Sequence, residues 1–354
     1  MSIAISGSSI TFPDQTQMST ATGGSFRNRI INGDMRIDQR NAGAAVTANG
    51  SFPVDRFKMN NTTDGTFSAQ QSSTVPSSGG FVNSVLVTVT SADTSLTTTQ
   101  RLALQQTIEG YNIADLGWGT ASAKTVTLSF WVRSSLTGTF SGSLRNSAGD
   151  RSYPYTYTIS AANTWEQKSV TISGDTSGTW LTTNGEGIIL FFSLGVGPSL
   201  LGAAGAWAAA GYWGATGETP LVGTNGATFY ITGVQLEQGS TATEFERRPI
   251  GVELALCQRY YEQVGGNTGD LNAIALRGYQ LVGSYLANQY MFPVQKRVAP
   301  TTTISGTFAV ANCGQPIVLN ADTKTWSFQT LASATNAIVL YSNNSGLIQF
   351  SAEL

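Results

Sequence analysis

Short runs of β-branched and aromatic residues, each closed by Gly, Asn, Ser or Pro, recur from residue 26 to about 248. This rhythm constrains the fold more than any other feature of the chain. Residues 124–133 read KTVTLSFWVR, so Val126, Leu128, Phe130 and Val132 fall on one face. The opposite face is polar except for Trp131, and a two-residue period of this kind specifies a half-buried strand. Residues 187–194, GIILFFSL, are almost continuously apolar, as expected of a central strand buried on both faces. Similar runs occupy 81–89, 153–159, 165–172 and 227–237. Many short strands with turns at this spacing predict a two-sheet β-sandwich over residues 26–248. Strand patterns resume from 264 to 354, a length that suits a second, smaller β-sandwich. Between them, residues 249–263 break the pattern. Pro249 suits the first turn of a helix, and the stretch is expected to be a linker containing a short helix.

Residues 1–25 carry few large apolar side chains beyond Ile3, Ile5, Ile10 and Phe12. Such a segment cannot offset its own ordering entropy. It is expected to be an extended attachment segment that gains order by docking, with Thr22-Gly23-Gly24-Ser25 as its hinge. The fold class predicted is therefore all-β.

Composition narrows the function. The chain has 354 residues but no His and two Cys, which removes Ser-His-Asp and Cys-His catalysis and His-containing zinc sites. Net charge is −2, so nothing draws the chain to nucleic acid. No apolar run approaches a membrane span, and the start, Met1-Ser2-Ile3-Ala4, shows no secretory leader. Only 11% of residues are charged, against about 25% in typical domains, while Ser and Thr make up roughly a quarter of the chain. That balance fits a surface-facing or particle-bound β protein. The Gly-rich stretches lack the Lys-Ser/Thr ending of a phosphate loop.

Several stretches resemble a phage virion family. Residues 10–21, ITFPDQTQMSTA, are similar to the ITFPDGTTQ segment near the start of many phage tail-fibre chains, with Gln15 in place of the usual Gly. Residues 28–35 (NRIINGDM), Gln39-Arg40, Val54-Asp55-Arg56-Phe57 and Ile108-Glu109-Gly110 come next. Residues 129–132 (SFWV), 226–237 (GATFYITGVQLE), 254–261 (LALCQRYY), 296–301 (KRVAPT) and 351–354 (SAEL) follow. As an ordered set they resemble a carbohydrate-binding-module-like jelly roll of phage and prophage tail proteins. The resemblance implies a tail-fibre or receptor-binding subunit of the virion, made in the host cytoplasm and commonly homotrimeric. It would be joined to other tail or baseplate proteins through residues 1–25, with Ile10, Phe12 and Pro13 at the attachment. Its ligand would be host cell-surface polysaccharide, with no nucleic acid, no membrane insertion and no cofactor. A virion protein folds in a reducing cytosol, so Cys257 and Cys313 are expected to remain buried free thiols.

Four aromatics are the candidate carbohydrate-binding residues. Trp207, Tyr212 and Trp213 lie in the Gly- and Ala-rich stretch 197–214. Flat rings suit the apolar C–H faces of sugars, and small neighbours allow close approach. The alternative is that they pack on the sandwich edge or on a neighbouring subunit. Trp118, between Gly117 and Gly119, is the exposed candidate among the other tryptophans. Trp131, Trp165 and Trp180 are expected mainly in cores. A structural Ca²⁺ would draw on Asp34, Asp38, Asp55 and Glu237, although no Asp-rich loop supports it and no metal is predicted. Glycosidase chemistry would need two carboxylates from Glu109, Asp115, Asp150, Asp175 and Glu186 in one cleft, and no catalytic residue is predicted. The mixed cluster Glu244-Phe245-Glu246-Arg247-Arg248 is expected to be a solvated or subunit-bridging seam. A receptor-binding fibre is the leading function. A ligand-free tail or head-decoration protein is the alternative, and a polysaccharide depolymerase ranks third because no solenoid repeat is present.

Overall fold

The computed structural model describes residues 26–266, 274–341 and 345–354, together with the backbone of three short strands before residue 20. Those three, β1 (Ala4–Ser6), β2 (Ser9–Thr11) and β3 (Gln17–Ser19), pair with one another in a three-stranded sheet, placing Ile10 opposite Ile5 and Met18. Pairing of this kind satisfies the peptide groups of the three strands. Phe12 and Pro13 lie outside the described residues.

The large unit is an all-β jelly-roll sandwich. Its strands are β4 (Phe57–Asn61), β5 (Thr66–Ser72), β6 (Ser84–Ser91), β7 (Arg101–Glu109), β8 (Val126–Ser134) and β9 (Gly138–Arg145). They continue as β10 (Ser152–Ile159), β11 (Glu166–Ile172), β12 (Glu186–Val196), the short β13 (Leu201–Gly202) and β14 (Gly214–Ala215), and β15 (Thr228–Gln238). One five-stranded sheet runs β10-β9-β12-β7-β4 and the other β11-β8-β15-β6-β5. Their pairings are antiparallel. The predicted alternation of β8 holds. Val126, Leu128, Phe130 and Val132 are fully buried between the sheets. There Phe130 meets Phe192 and Tyr157 edge-on, at 5.1 and 4.9 Å between ring centres.

The predicted two-faced burial of β12 also holds, with a specific cause. Ile188, Leu190, Phe192 and Leu194 point into the sandwich core. Ile189, Phe191 and Val196 point outward and join Ala103 and Trp213 in a second apolar cluster under the 197–216 loop. An outward row of this kind needs cover, and the chain supplies it locally.

Helix α1 (Ile250–Gln258) follows Pro249, and β16 (Tyr261–Gly265) follows at once. The linker is therefore shorter than expected. Tyr261 and Glu262 already pair with Ser351 and Phe350, because their peptide groups complete a sheet of the second unit. That unit continues as β17 (Ala275–Gln280), β18 (Tyr285–Met291), β19 (Thr301–Ser305), β20 (Ala309–Ala311) and β21 (Ile317–Ala321). It closes with β22 (Thr325–Leu331), β23 (Asn336–Tyr341) and β24 (Leu347–Ser351). These nine strands form three three-stranded sheets, β16-β24-β19, β17-β23-β20 and β18-β22-β21. They surround one core that includes Phe292, Phe308, Trp326, Phe328 and Phe350. Cys257 and Cys313 are both buried and free.

The two units meet through buried and half-buried ions. Glu109 accepts from Arg259 Nε at 2.8 Å, Arg259 Nη2 at 2.5 Å and the Tyr260 hydroxyl at 2.7 Å. Glu353 accepts from Arg40 at 2.8 Å and from Arg56. Arg297 donates to the carbonyls of Ala352, Glu353 and Asn184, each at 2.8 Å. The guanidinium groups of Arg40 and Arg56 each lie 3.6 Å from a ring centre, of Tyr261 and Tyr260 respectively. Residues from most of the stretches that resemble tail proteins thus converge on this junction. Within the 244–248 cluster, Glu246 and Arg248 form a clasp within the chain, while Glu244 and Arg247 are exposed as a solvated seam requires. Glu246 accepts the amides of Phe26 and Asn28, each at 2.7 Å. Buried Arg248 pairs with Glu253 of α1 at 3.3 Å and donates to Ile30 O at 3.1 Å. Ions taken out of water need partners, and the stretch 26–31 carries the nearest free backbone groups.

Candidate functional site

The loop that covers β12 positions three of the four predicted aromatics. It leaves β12 at Gly197, where a Cβ would lie 1.9 Å from Thr97 O, so only glycine lets the chain turn there. The parallel pair β13–β14 then staples its two ends together. Trp213 stacks on Phe191 with ring centres 3.9 Å apart and is only 8% exposed. Arg101 and Arg145 flank its ring at 4.5 and 5.1 Å. Trp213 is therefore a lid on the sheet, and its faces are occupied. Tyr212 is half-buried and lies against Gly202, where a Cβ would sit 2.3 Å from the ring.

Trp207 reaches a separate aromatic cluster. Its ring lies edge-on to Trp118, Trp180 and Tyr153 at 5.3, 5.4 and 5.3 Å. Its indole N–H donates to Ser173 O at 2.7 Å. Trp118 packs on Trp180 at 4.7 Å, donates to Lys124 O at 2.8 Å and is 6% exposed. The expectation that Trp118 is exposed is thus overturned. Gly117 and Gly119 adopt positive φ, 62° and 84°, and the backbone between them turns the indole inward. Of the four candidates only Trp207 and Tyr212 keep exposed surface.

Four of the five acids weighed for chemistry are tied down individually. Asp115 pairs with Arg29 at 2.6 Å and Asp175 with Arg151 at 2.6 Å, while Asp150 accepts from Asn146 at 2.6 Å. Glu186 sits opposite Glu109 in register, but Glu109 is committed to Arg259 and Tyr260. Burial alone would raise the Glu109 carboxyl, and the hydrogen bonds from Arg259 and Tyr260 more than reverse this, holding it below its usual range. The four acids considered for calcium are equally engaged. Asp34 pairs with Arg36 at 2.5 Å and Asp55 with Arg40 at 3.0 Å. Asp38 accepts from Asn41 N at 2.9 Å and Gly43 N at 2.8 Å, and Glu237 from Thr243 at 2.7 Å. Burial pushes Asp55 up to about 6, against the pull of Arg40. Among the described residues no three acidic or Cys side chains come together to hold a metal.

One acid escaped the sequence reading. Glu218 lies half-buried under the loop on the outer face of the β12 sheet, with no salt-bridge partner among the described residues. It accepts from Ser141 Oγ, from Ser193 Oγ at 2.8 Å and from Val196 N at 3.0 Å. Desolvation raises its carboxyl, and the Ser141, Ser193 and Val196 hydrogen bonds offset only part of this. A raised folded-state value means the stabilisation is complete below the ordinary value of 4.5 and is lost as the pH rises through the folded-state value. Glu218→Gln should keep most of these contacts without the charge. Its Tm relative to wild type should therefore climb with pH in a series of thermal melts; a constant difference would show that Glu218 does not titrate with folding.

Trp131 and Trp165, expected mainly in cores, lie outside the sandwich core and are half-buried on the outer face of the β8 sheet. Trp165 is edge-on to Tyr230 at 6.1 Å. The signal was present: Trp131 is the one apolar side chain on the polar face of its strand.

No protein-family model and no curated protein matches this sequence. Among solved structures, the chain is similar to the enzymatically active domain of tailspike protein 4 of bacteriophage CBA120, with 13% identity and a TM-score of 0.34 over 60% of this chain and 22% of that one. It is also similar to a family 4 carbohydrate-binding module, with 15% identity and a TM-score of 0.29 over 59% of this chain and 98% of that one. A third likeness is to TmCBM61 in complex with β-1,4-galactotriose, with 11% identity and a TM-score of 0.30 over 60% of this chain and 99% of that one.

Proposed function

We propose that this chain is a non-catalytic, glycan-binding subunit of a phage tail fibre. Residues 1–25 attach it to the particle, and it works as a homotrimer. Trp207 and Tyr212 meet the sugar, while Trp118 and Trp213 hold the loop in shape. The observation that carries this reading is the setting of Trp207. Its half-exposed ring is braced by three aromatics, and its N–H is already bonded to Ser173 O. An immobilised flat ring loses little entropy when a sugar stacks on it. Adhesion also suits a fold in which Glu109, Asp115, Asp150 and Asp175 are each held by a partner. Each copy would bind weakly, and several copies on one particle would raise avidity by about 10²–10⁴ when geometry permits.

The purified chain should bind intact host cells and give positives on a glycan array, with native mass at three times 37.3 kDa. Trp207→Ala should weaken binding about tenfold. A blank array with no cell binding would favour a ligand-free structural protein, and release of reducing sugar would favour a depolymerase.

A further inference from the structure

The outer face of the β11-β8-β15-β6-β5 sheet carries a second feature that the loop aromatics do not touch. A groove of about 510 Å³ opens over Trp131, within the ~300–1,000 Å³ typical of small-ligand sites. Its floor is built by the sheet register. Gln167 on β11 and Thr232 on β15 stand opposite Trp131, and Ser129 lies two residues along β8. These short or flexible polar neighbours leave the indole as the broad apolar surface of the floor. One wall is Phe81 and Phe245, edge-on at 5.3 Å, with the Arg247 guanidinium 4.9 Å from the Phe81 ring centre and donating to Gly79 O.

The backbone makes room for this groove. β15 slips register between Thr232 and Gln235, and Gly233 within that bulge has φ +62°. A Cβ there would lie 2.6 Å from the Phe81 ring and 3.2 Å from the Trp131 ring. A bulge redirects side chains and often stands beside a functional site. This one is held from behind by the 28–35 stretch. Val234 N donates to Gly33 O at 2.9 Å, and Asn28 Nδ2 donates to Val234 O at 3.1 Å. The groove is therefore shaped before any ligand arrives.

We infer that the Trp131 groove is a second carbohydrate site, selective for an uncharged pyranose chain. The inference rests on the reading that the chain binds glycans and adds a separate seat. The Trp131 indole offers a flat face to sugar C–H groups. Around it stand an amide, Gln167, a carboxylate, Glu244, and a guanidinium, Arg247. Glu244 and Arg247 have no ion-pair partner among the described residues, and the side chains of Gln167 and Glu244 make no hydrogen bond among them. Together these groups donate to and accept from vicinal hydroxyls. One positive and one negative charge leave the groove neutral, so an anionic sugar gains nothing from Arg247 that it does not lose against Glu244.

The test is calorimetric titration of the full chain with uncharged tetrasaccharides of glucose, galactose, mannose and N-acetylglucosamine, and with oligogalacturonate as the anionic arm. At least one uncharged probe should bind, and oligogalacturonate should not compete with it. Trp131→Ala should weaken that binding about tenfold, whereas Tyr279→Ala, on the exposed surface of the second unit, should leave it unchanged. Gln167→Ala lies on exposed surface and should weaken binding severalfold with an unaltered melting curve, which separates ligand contact from folding. The site is overturned if no uncharged probe binds, if oligogalacturonate binds at the groove as well as the best uncharged probe, or if Trp131→Ala and Gln167→Ala bind like wild type. Loss on Trp207→Ala alone would overturn the groove and leave adhesion standing. Absence of binding to every probe and to host cells would overturn both.

Discussion

Glu353→Ala should destabilise the protein by about 3–5 kcal/mol, the usual consequence of leaving a buried charge without its partner. Glu353 is the shared acceptor of Arg40 and Arg56. Without it Arg56 stays enclosed, stacked on Tyr260 and bonded to Thr107 O at 2.6 Å, with its positive charge unanswered. Arg40 keeps Asp55 at 3.0 Å, so most of the loss comes from Arg56. The lever is large because the same residues close the seam between the two units. Urea titration is the measurement, with Lys168→Ala as the contrast. Lys168 pairs with Glu166 at 2.6 Å on more exposed surface, and breaking such a pair costs about 0–1 kcal/mol. A Glu353→Ala midpoint as close to wild type as that of Lys168→Ala would show that the junction does not depend on this carboxylate.

Trp118→Ala is the second large effect, expected at about 3–5 kcal/mol for truncating a buried ring. The indole packs against both Trp180 and Trp207, and its N–H satisfies Lys124 O. Its removal leaves both a cavity and an unpaired carbonyl. Trp207→Ala opens toward solvent and should cost clearly less stability while costing more binding. The pair of variants therefore separates support from contact. Equal losses of stability in the two, by thermal or urea unfolding, would refute the assignment of Trp118 as the buried member.

The strands were legible because their periodicity is local. KTVTLSFWVR shows its buried face without any knowledge of the partner strand, and GIILFFSL shows that both faces of its strand are covered. What covers the outer face could not be read. Trp213 and Phe191 are brought together by a turn at Gly197 and by the β13–β14 pair, and neither has a periodic signature. The glycines around Trp118 were visible as turn residues, but the direction in which the turn aims the ring depends on φ at Gly117 and Gly119. The Arg56–Glu353 contact spans 297 residues, beyond any pattern in a window of sequence. Trp131 was conspicuous on its polar face. Assigning it to a core followed the common behaviour of tryptophan, when the alternation of its own strand already turned it outward.

The seam between the units has a mechanical corollary. Tension applied to the smaller unit cannot be taken up by a slack tether, because α1 runs into β16 with only Arg259 and Tyr260 between them. It is delivered instead as shear across Arg259–Glu109, Arg56–Glu353 and the Asn184 carbonyl gripped by Arg297. Several clamps loaded side by side must yield together, so a tug at one end of the molecule swings both units as a single stiff lever.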